Sequence, residues 1–259
     1  MAEKGVDRPI ADYALVGNLS TAALIARGGA IDWFCPPRFD AGACFAALLG
    51  DGSNGCWRLA PEGEHATSRR YLPDTLVLET VHETAEGSVE VIDFMPYSGT
   101  NGRTDLVRLV RGRSGKVAMA TEIVLRFDYG SVVPWVQHGE AGMHATGGPD
   151  AVVIRTPVRL KGADFRTRGR FIVSAGETVP FVLTCYRSHL PDPAAIDPEA
   201  ALGETEAWWR RWAGQCSYRG PWRDQVVRSL ITLKALTHAG TGAIVAAPTT
   251  SLPEEIGGA

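Results

Sequence analysis

The chain lacks the features that would tie it to nucleic acid, a membrane or a metal. Its 26 Lys and Arg face 29 Asp and Glu, a net charge of -3, so the basic footprint that a phosphate backbone demands is missing. No apolar run approaches the roughly 18 residues of a bilayer span. The opening residues, MAEKGVDRPIADY, are charged and carry no apolar secretory core. The five cysteines (Cys35, Cys44, Cys56, Cys185, Cys216) are odd in number and form no C-x-x-C pair. Scattered beside apolar residues, they read as buried free thiols in a reducing, cytoplasmic compartment.

Motifs for common cofactors and nucleophiles are also missing. Gly240-Thr241-Gly242 has no third glycine and follows a helical pattern rather than a strand, which excludes a dinucleotide loop. There is no G-x-S-x-G elbow. His138 and His144 fall in a glycine-rich stretch read as a loop, with no evident third ligand, so neither a metal nor a cofactor is expected. Internal repeats and low-complexity tracts are absent.

What is present reads as strands. Apolar runs at 12–19, 21–26 and 30–34 lead off, the last two flanking Arg27-Gly28-Gly29, a hairpin signal. Residues 45–49 suggest a short helical turn. Residues 75–84 alternate and turn through Ala85-Glu86-Gly87 into 88–95. Further strands are expected at 105–110, 116–127, 151–160, 165–173 and 179–187, with turns at Asn101-Gly102, Ser114-Gly115 and Ala175-Gly176. Glu79, Glu83 and Glu90 read as solvent-facing strand residues. Many short strands at this spacing predict a mainly β protein, a large antiparallel β-sandwich. At 259 residues such a chain buries roughly 70–75% of its unfolded surface and needs no disulfide.

The period changes after Pro191. Residues 199–215 read as a helix with Trp208, Trp209 and Trp212 on one face. Residues 221–238 read as a second helix with an apolar stripe at Val226, Val227, Leu230, Ile231, Leu233 and Leu236, and with Asp224 and Arg228 paired on its outer side. That stripe has no partner in the sequence, so an exposed helix and homo-oligomerisation through it are expected. The final run, GAIVAAPTTSLPEEIGGA, reads as a strand-like segment and a loop leading towards a further element. The expectation is a chain that forms the front of a larger enzyme.

Two places suit a ligand. Pro37-Arg38-Phe39-Asp40 opens a loop, and an Arg with an Asp two residues on can clamp a polyol; a structural pair pinning the loop end remains the other reading. Arg126-Phe127-Asp128-Tyr129-Gly130 and Val133-Pro134-Trp135-Val136 are aromatic-rich, which suits either sugar stacking or a sandwich core.

Three blocks in order, PIADYALVGNLSTAALIARGGAIDWFCPPRFD, then RFDYG with VPWV, then SLITLKALT with GAIVAAPTTSLPEEIGG, resemble glycoside hydrolase family 15, the glucoamylase-like and trehalase-like enzymes. The resemblance runs from about Pro9 to the last residue. It implies a β-sandwich at 1–190, a helical linker at 191–220, and at 221–259 the first helix of a truncated (α/α)6 barrel. It further implies hydrolysis of α-glucosides with inversion by two glutamates standing roughly 6.5–9.5 Å apart, both beyond Ala259, so no catalytic residue is expected in this chain. Under the resemblance Arg38 and Asp40 become candidate substrate contacts, and Thr250, Ser251 and Glu254 lie in the loop at the barrel mouth. The α-glucoside or oligosaccharide substrate would be met through the barrel. The other reading is a free-standing carbohydrate-binding or structural sandwich module, which requires an exposed aromatic platform.

Overall fold

A computed structural model describes residues 8–97, 102–139 and 142–251. Among them run β1 (Tyr13–Gly17), β2 (Ala22–Ala26), β3 (Ile31–Phe34), β4 (Cys56–Pro61), β5 (Ala66–Tyr71), β6 (Leu78–Thr84), β7 (Gly87–Phe94) and β8 (Thr104–Val124). They are followed by β9 (Trp135–Gly139), β10 (Gly142–Gly147), β11 (Asp150–Arg155), β12 (Lys161–Ala163), β13 (Arg166–Ser174) and β14 (Thr178–Arg187), and then by helices α1 (Pro198–Ala213) and α2 (Arg223–Ala235).

Every pairing between these described strands is antiparallel, and they form two sheets that share β8. One sheet runs β1-β2-β3-β4-β8-β13-β12, the other β5-β6-β7-β8-β14-β11-β10-β9. Residues 104–111 of β8 pair with β14, whereas residues 116–124 pair with β4 or β13. The sequence predicts two strands here, separated by a turn at Ser114-Gly115; instead one 21-residue strand passes from sheet to sheet. The glycine marks a close approach rather than a reversal. Gly115 has φ +63°, and a Cβ on it would lie 2.0 Å from the Glu86 carbonyl oxygen. With a register shift between Ser88 and Val89 of β7, this bulged, glycine-lined contact lets β8 bend across.

The apolar faces of the two sheets close on a core that includes Trp57 and Phe181, edge to face with centroids 6.1 Å apart. Arg108 is fully buried beside it. Its Nε donates to Asp93 Oδ1 at 2.7 Å, its Nη2 to the Gly29 carbonyl at 2.7 Å, and its guanidinium carbon sits 5.1 Å from the Trp57 ring centre. Burial pushes the Asp93 carboxyl above its ordinary range, against the pull of Arg108. An ion pair taken out of water holds only when its remaining donors are satisfied; here the β2–β3 turn and β4 supply the acceptors.

Several sequence expectations are corrected at this level. Glu79 is buried and paired with Arg70 (Nη2–Oε1 3.1 Å), and Glu90 is half-buried between Arg111 and Arg113, so of the three acids only Glu83 faces solvent. β4, β5 and the β9–β10 hairpin lie outside the strands expected from sequence. The stretch holding His138 and His144 is that hairpin, not a loop.

The helices cover the second sheet. Asp197 caps α1, accepting from the backbone of Glu199 and Ala200 at 2.9 and 3.1 Å. Leu202 of α1 packs on Val107, Leu109 and Val182. The α2 stripe is partly covered: its Val227 and Ile231, with Ala235 beside them, are buried with Trp209, Ala213, Leu19 and Leu76. Arg223 makes a two-pronged contact with Asp74 (3.0 and 2.8 Å), and Arg228 lies 4.0 Å over the Tyr71 ring rather than against Asp224. Of the face on which oligomerisation was expected, Val227 and Ile231 are occupied by the protein itself, Val226, Leu230 and Leu236 are half-buried, and Leu233 is exposed.

Candidate functional site

The end of β3 gathers the ligand candidates. β3 delivers Trp33, wholly buried, and the chain then runs through a cis Pro36–Pro37 peptide into the loop of Arg38 and Asp40. Residues 248–251 return to this spot from the far end of the chain. The Trp33 indole Nε1 donates to the Pro248 carbonyl at 3.0 Å. The Cys35 thiol lies 3.6 Å from the Ser251 hydroxyl, and burial pushes that thiol up to about 12. The Tyr129 hydroxyl donates to the Ala41 carbonyl at 3.3 Å and reaches the Ser251 carbonyl at 3.5 Å. Its ring sits 6.1 Å from that of Trp33. Asp128 and Tyr129 hold φ of +49° and +58° to present that ring, a costly backbone state for non-glycine residues that clusters at sites of use.

Arg38 and Asp40 are both exposed and satisfy each other. Nε and Nη2 of Arg38 meet the two carboxylate oxygens at 2.8 Å each. That hydrogen bond raises the guanidinium and lowers the Asp40 carboxyl, to which nearby His238 adds. The geometry is that of a preformed fork whose other edges face water. Thr250 is exposed and Ser251 half-buried; Glu254 lies outside the described residues. The fold thus brings the Arg38–Asp40 loop and the 250–251 loop to one end of the sandwich, joined through Tyr129 and Cys35. The sequence reading did not assign Trp33 and Tyr129 as the organising pair. Trp33 sits in an apolar strand and Tyr129 in an aromatic-rich loop, and nothing in either segment signals that they meet.

Buried carboxylates are the usual source of a general acid. Among the described residues these are Asp32, Glu79, Asp93 and Asp105. Asp32 accepts from Tyr13 at 3.0 Å and Arg8 at 3.3 Å, and Asp105 from Arg103 and Thr184. Glu79 and Asp93 are held by Arg70 and Arg108. Each is committed to a structural contact. His138 and His144 diverge: the former contacts Thr167 Oγ1 at 3.1 Å, the latter Asp192 at 3.2 Å. No group of three His, Cys, Asp or Glu converges among the described residues. Of the aromatic loop residues, Phe127 enters the core, whereas Trp135 is 72% exposed.

Comparison with known proteins gives a consistent picture. Residues 4–185 match a family described as trehalase-like, N-terminal. The chain is 35% identical over 276 aligned residues to a trehalase of Mycolicibacterium smegmatis and 36% to one of Mycobacterium tuberculosis. In each case 95% of this chain aligns, with 41% and 40% of those proteins. It therefore spans about two fifths of the length of these relatives. Among solved structures, a bacterial glucoamylase complexed with acarbose superposes with a TM-score of 0.64 at 12% identity, over 95% of this chain and 43% of that one; this likeness is one of fold.

Proposed function

The chain belongs to the trehalase-like N-terminal domain family, and from that premise we propose that it serves as the non-catalytic sandwich of an inverting α-glucoside hydrolase of glycoside hydrolase family 15. The observation that carries the proposal is the match over residues 4–185 to an N-terminal domain, together with the commitment of every buried carboxylate described above. In this reading residues 1–190 are the sandwich, 191–220 the helical linker and 221–259 the first part of an (α/α)6 barrel. The two glutamates that protonate the glycosidic oxygen and activate water belong to the barrel.

The sandwich then has two tasks. It seats the 248–251 loop through Trp33, Cys35 and Tyr129, setting the position from which a barrel mouth is built. It also presents the Arg38–Asp40 fork beside that loop, where paired donors and acceptors suit sugar hydroxyls. Trp222, Leu233 and Ile244 are 63%, 50% and 60% exposed, and these apolar side chains on and after α2 fit contacts with further helices. Five free thiols agree with a cytoplasmic setting. No helix among the described residues is long and apolar enough to cross a membrane.

The test is to incubate the pure chain with trehalose, maltose and dextrin and to follow glucose release. No turnover is expected. Release of glucose that scales with the concentration of this chain would overturn the non-catalytic reading.

A further inference from the structure

A second place on the molecule has the form of a ligand site, away from the loops just described. The two sheets end side by side at β9 and β12, and between these edge strands opens a cavity of about 380 Å³. Its floor is apolar and buried, formed by Ile123, Leu125 and Met143. Its lips are Trp135, 72% exposed, and Phe165, 79% exposed. Arg126 and His138 also line it, and among the described residues no carboxylate does.

The lips are held in place by devices with no evident value to the core. Asp164 and Phe165 form the tip between β12 and β13 with φ of +52° and +56°. A two-residue tip with both φ positive is the natural place for Asn-Gly; a bulky aromatic there is strained, and at 79% exposure it recovers little by burial. The Arg126 Nη1 pins this tip by donating to the Phe165 carbonyl at 3.2 Å and to the Leu125 carbonyl at 2.7 Å. On the opposite wall the His138 ring lies against Gly162, where a Cβ would approach Cε1 to 2.7 Å. Strain without packing gain is the pattern of a functional position.

We infer that this open edge between β9 and β12 binds a short neutral saccharide, with Trp135 and Phe165 as its stacking surfaces and Arg126 and His138 as its hydroxyl partners. The chemistry of the lining selects that class. Aromatic faces take the C–H faces of a pyranose ring, and the volume lies in the range of small-ligand pockets. A cation finds no carboxylate among the described lining residues. A wholly apolar ligand would strip water from Arg126 and His138 without replacing its hydrogen bonds. An anion would find Arg166 already held by Glu122 at 2.9 Å and the Arg126 Nη1 already donating to two backbone carbonyls. The glycoside hydrolase reading enters only in the choice of sugars to try.

The experiment is calorimetric titration of this chain with maltotriose and trehalose, beside Trp135→Ala and Phe165→Asn. Saturable binding is expected, weakened about tenfold or more by either substitution, the scale of one lost stacking face. Because Asn tolerates positive φ, Phe165→Asn is expected to melt no lower than the parent while binding worse. That separates a ligand role from a structural one. No saturation with either sugar, affinity that Trp135→Ala leaves within about twofold, or a Phe165→Asn protein that melts lower would each overturn the inference. Binding of glucose phosphates through Arg126 in place of neutral sugars would overturn it as well. None of these outcomes bears on glucose release, so the site and the proposed function fail separately.

Discussion

The indole nitrogen of Trp33 and the carbonyl of Pro248 meet at 3.0 Å across 215 residues of chain. This bond fastens the 248–251 loop to the sandwich. Trp33→Phe removes the donor and leaves the carbonyl without that partner, at an expected cost of about 1–2 kcal/mol. Hydrogen exchange at 248–251 should quicken, while exchange in β14 stays unchanged. Equal protection of the loop in both proteins would show that Cys35 and Tyr129 suffice to hold it.

The buried pair of Arg108 and Asp93 should be costly to break singly and cheaper to replace jointly. Arg108→Met is expected to lose about 3–5 kcal/mol in urea unfolding, because it strands the Asp93 carboxylate. The double change Arg108→Met with Asp93→Leu should lose less than the sum of the two single changes. Additive losses would mean that the two side chains do not act as a unit.

His82 should govern stability on the acid side of neutrality. Burial, the largest cause, with nearby His65 and Arg108, lowers its ring to about 4 from an ordinary 6.5, and its Nε2 has no partner. The unfolded chain therefore binds a proton that the folded one refuses between these values. Stability is fully present above pH 6.5 and falls as the pH drops towards 4, by at most about 3 kcal/mol. Asp93, raised by burial, acts in the opposite sense, and the lowered carboxyls of Asp40, Asp74 and Glu122 act only below the ordinary carboxylate range. His82→Gln should flatten the slope between pH 6.5 and 4 in thermal melts. An unchanged slope would assign it to other groups.

Arg38 and Asp40 are exposed and bonded to each other, so an ion pair in water should add little to stability. Arg38→Ala should leave the melting midpoint unmoved within error. A fall in trehalose or maltose affinity in the same variant would identify the fork as a substrate contact. A fall in melting temperature instead would mark it as a pin for its loop.

The sheet architecture was legible where local chemistry and burial agree. The hairpin at Arg27-Gly28-Gly29 has its glycine at φ +82°, and β6, β7, β11, β13 and β14 fall on alternating or continuous apolar runs. β5, ATSRRY, has no apolar face because it is an edge strand with half its side chains in solvent, so its periodicity is silent. Ser114-Gly115 reads as a turn because glycine permits two outcomes, a reversal or a close contact, and only the position of Glu86 decides between them. The Arg38–Asp40 fork was visible as a spacing. Ser251 was legible as part of a loop, but its meeting with Trp33 and Tyr129 beside the fork was not, because it depends on contacts between residues far apart in the chain, 88 apart for Ala41 and Tyr129 and 122 apart for Tyr129 and Ser251. The face of α2 was legible as apolar, but its partners Leu19 and Leu76 lie in loops whose composition gives no sign of them.

A strand that belongs to both sheets leaves the sandwich without a seam. Two separate sheets can slide or part along their shared core, but here any such movement must stretch or break the backbone of β8 near residues 112–116. The two halves are therefore expected to melt in one step and to bear a pulling load together. A residue inserted at that crossing would shift the alternation of one half against the other, turning core side chains outward along a whole sheet, whereas the same insertion at the tips of the hairpins would go unfelt.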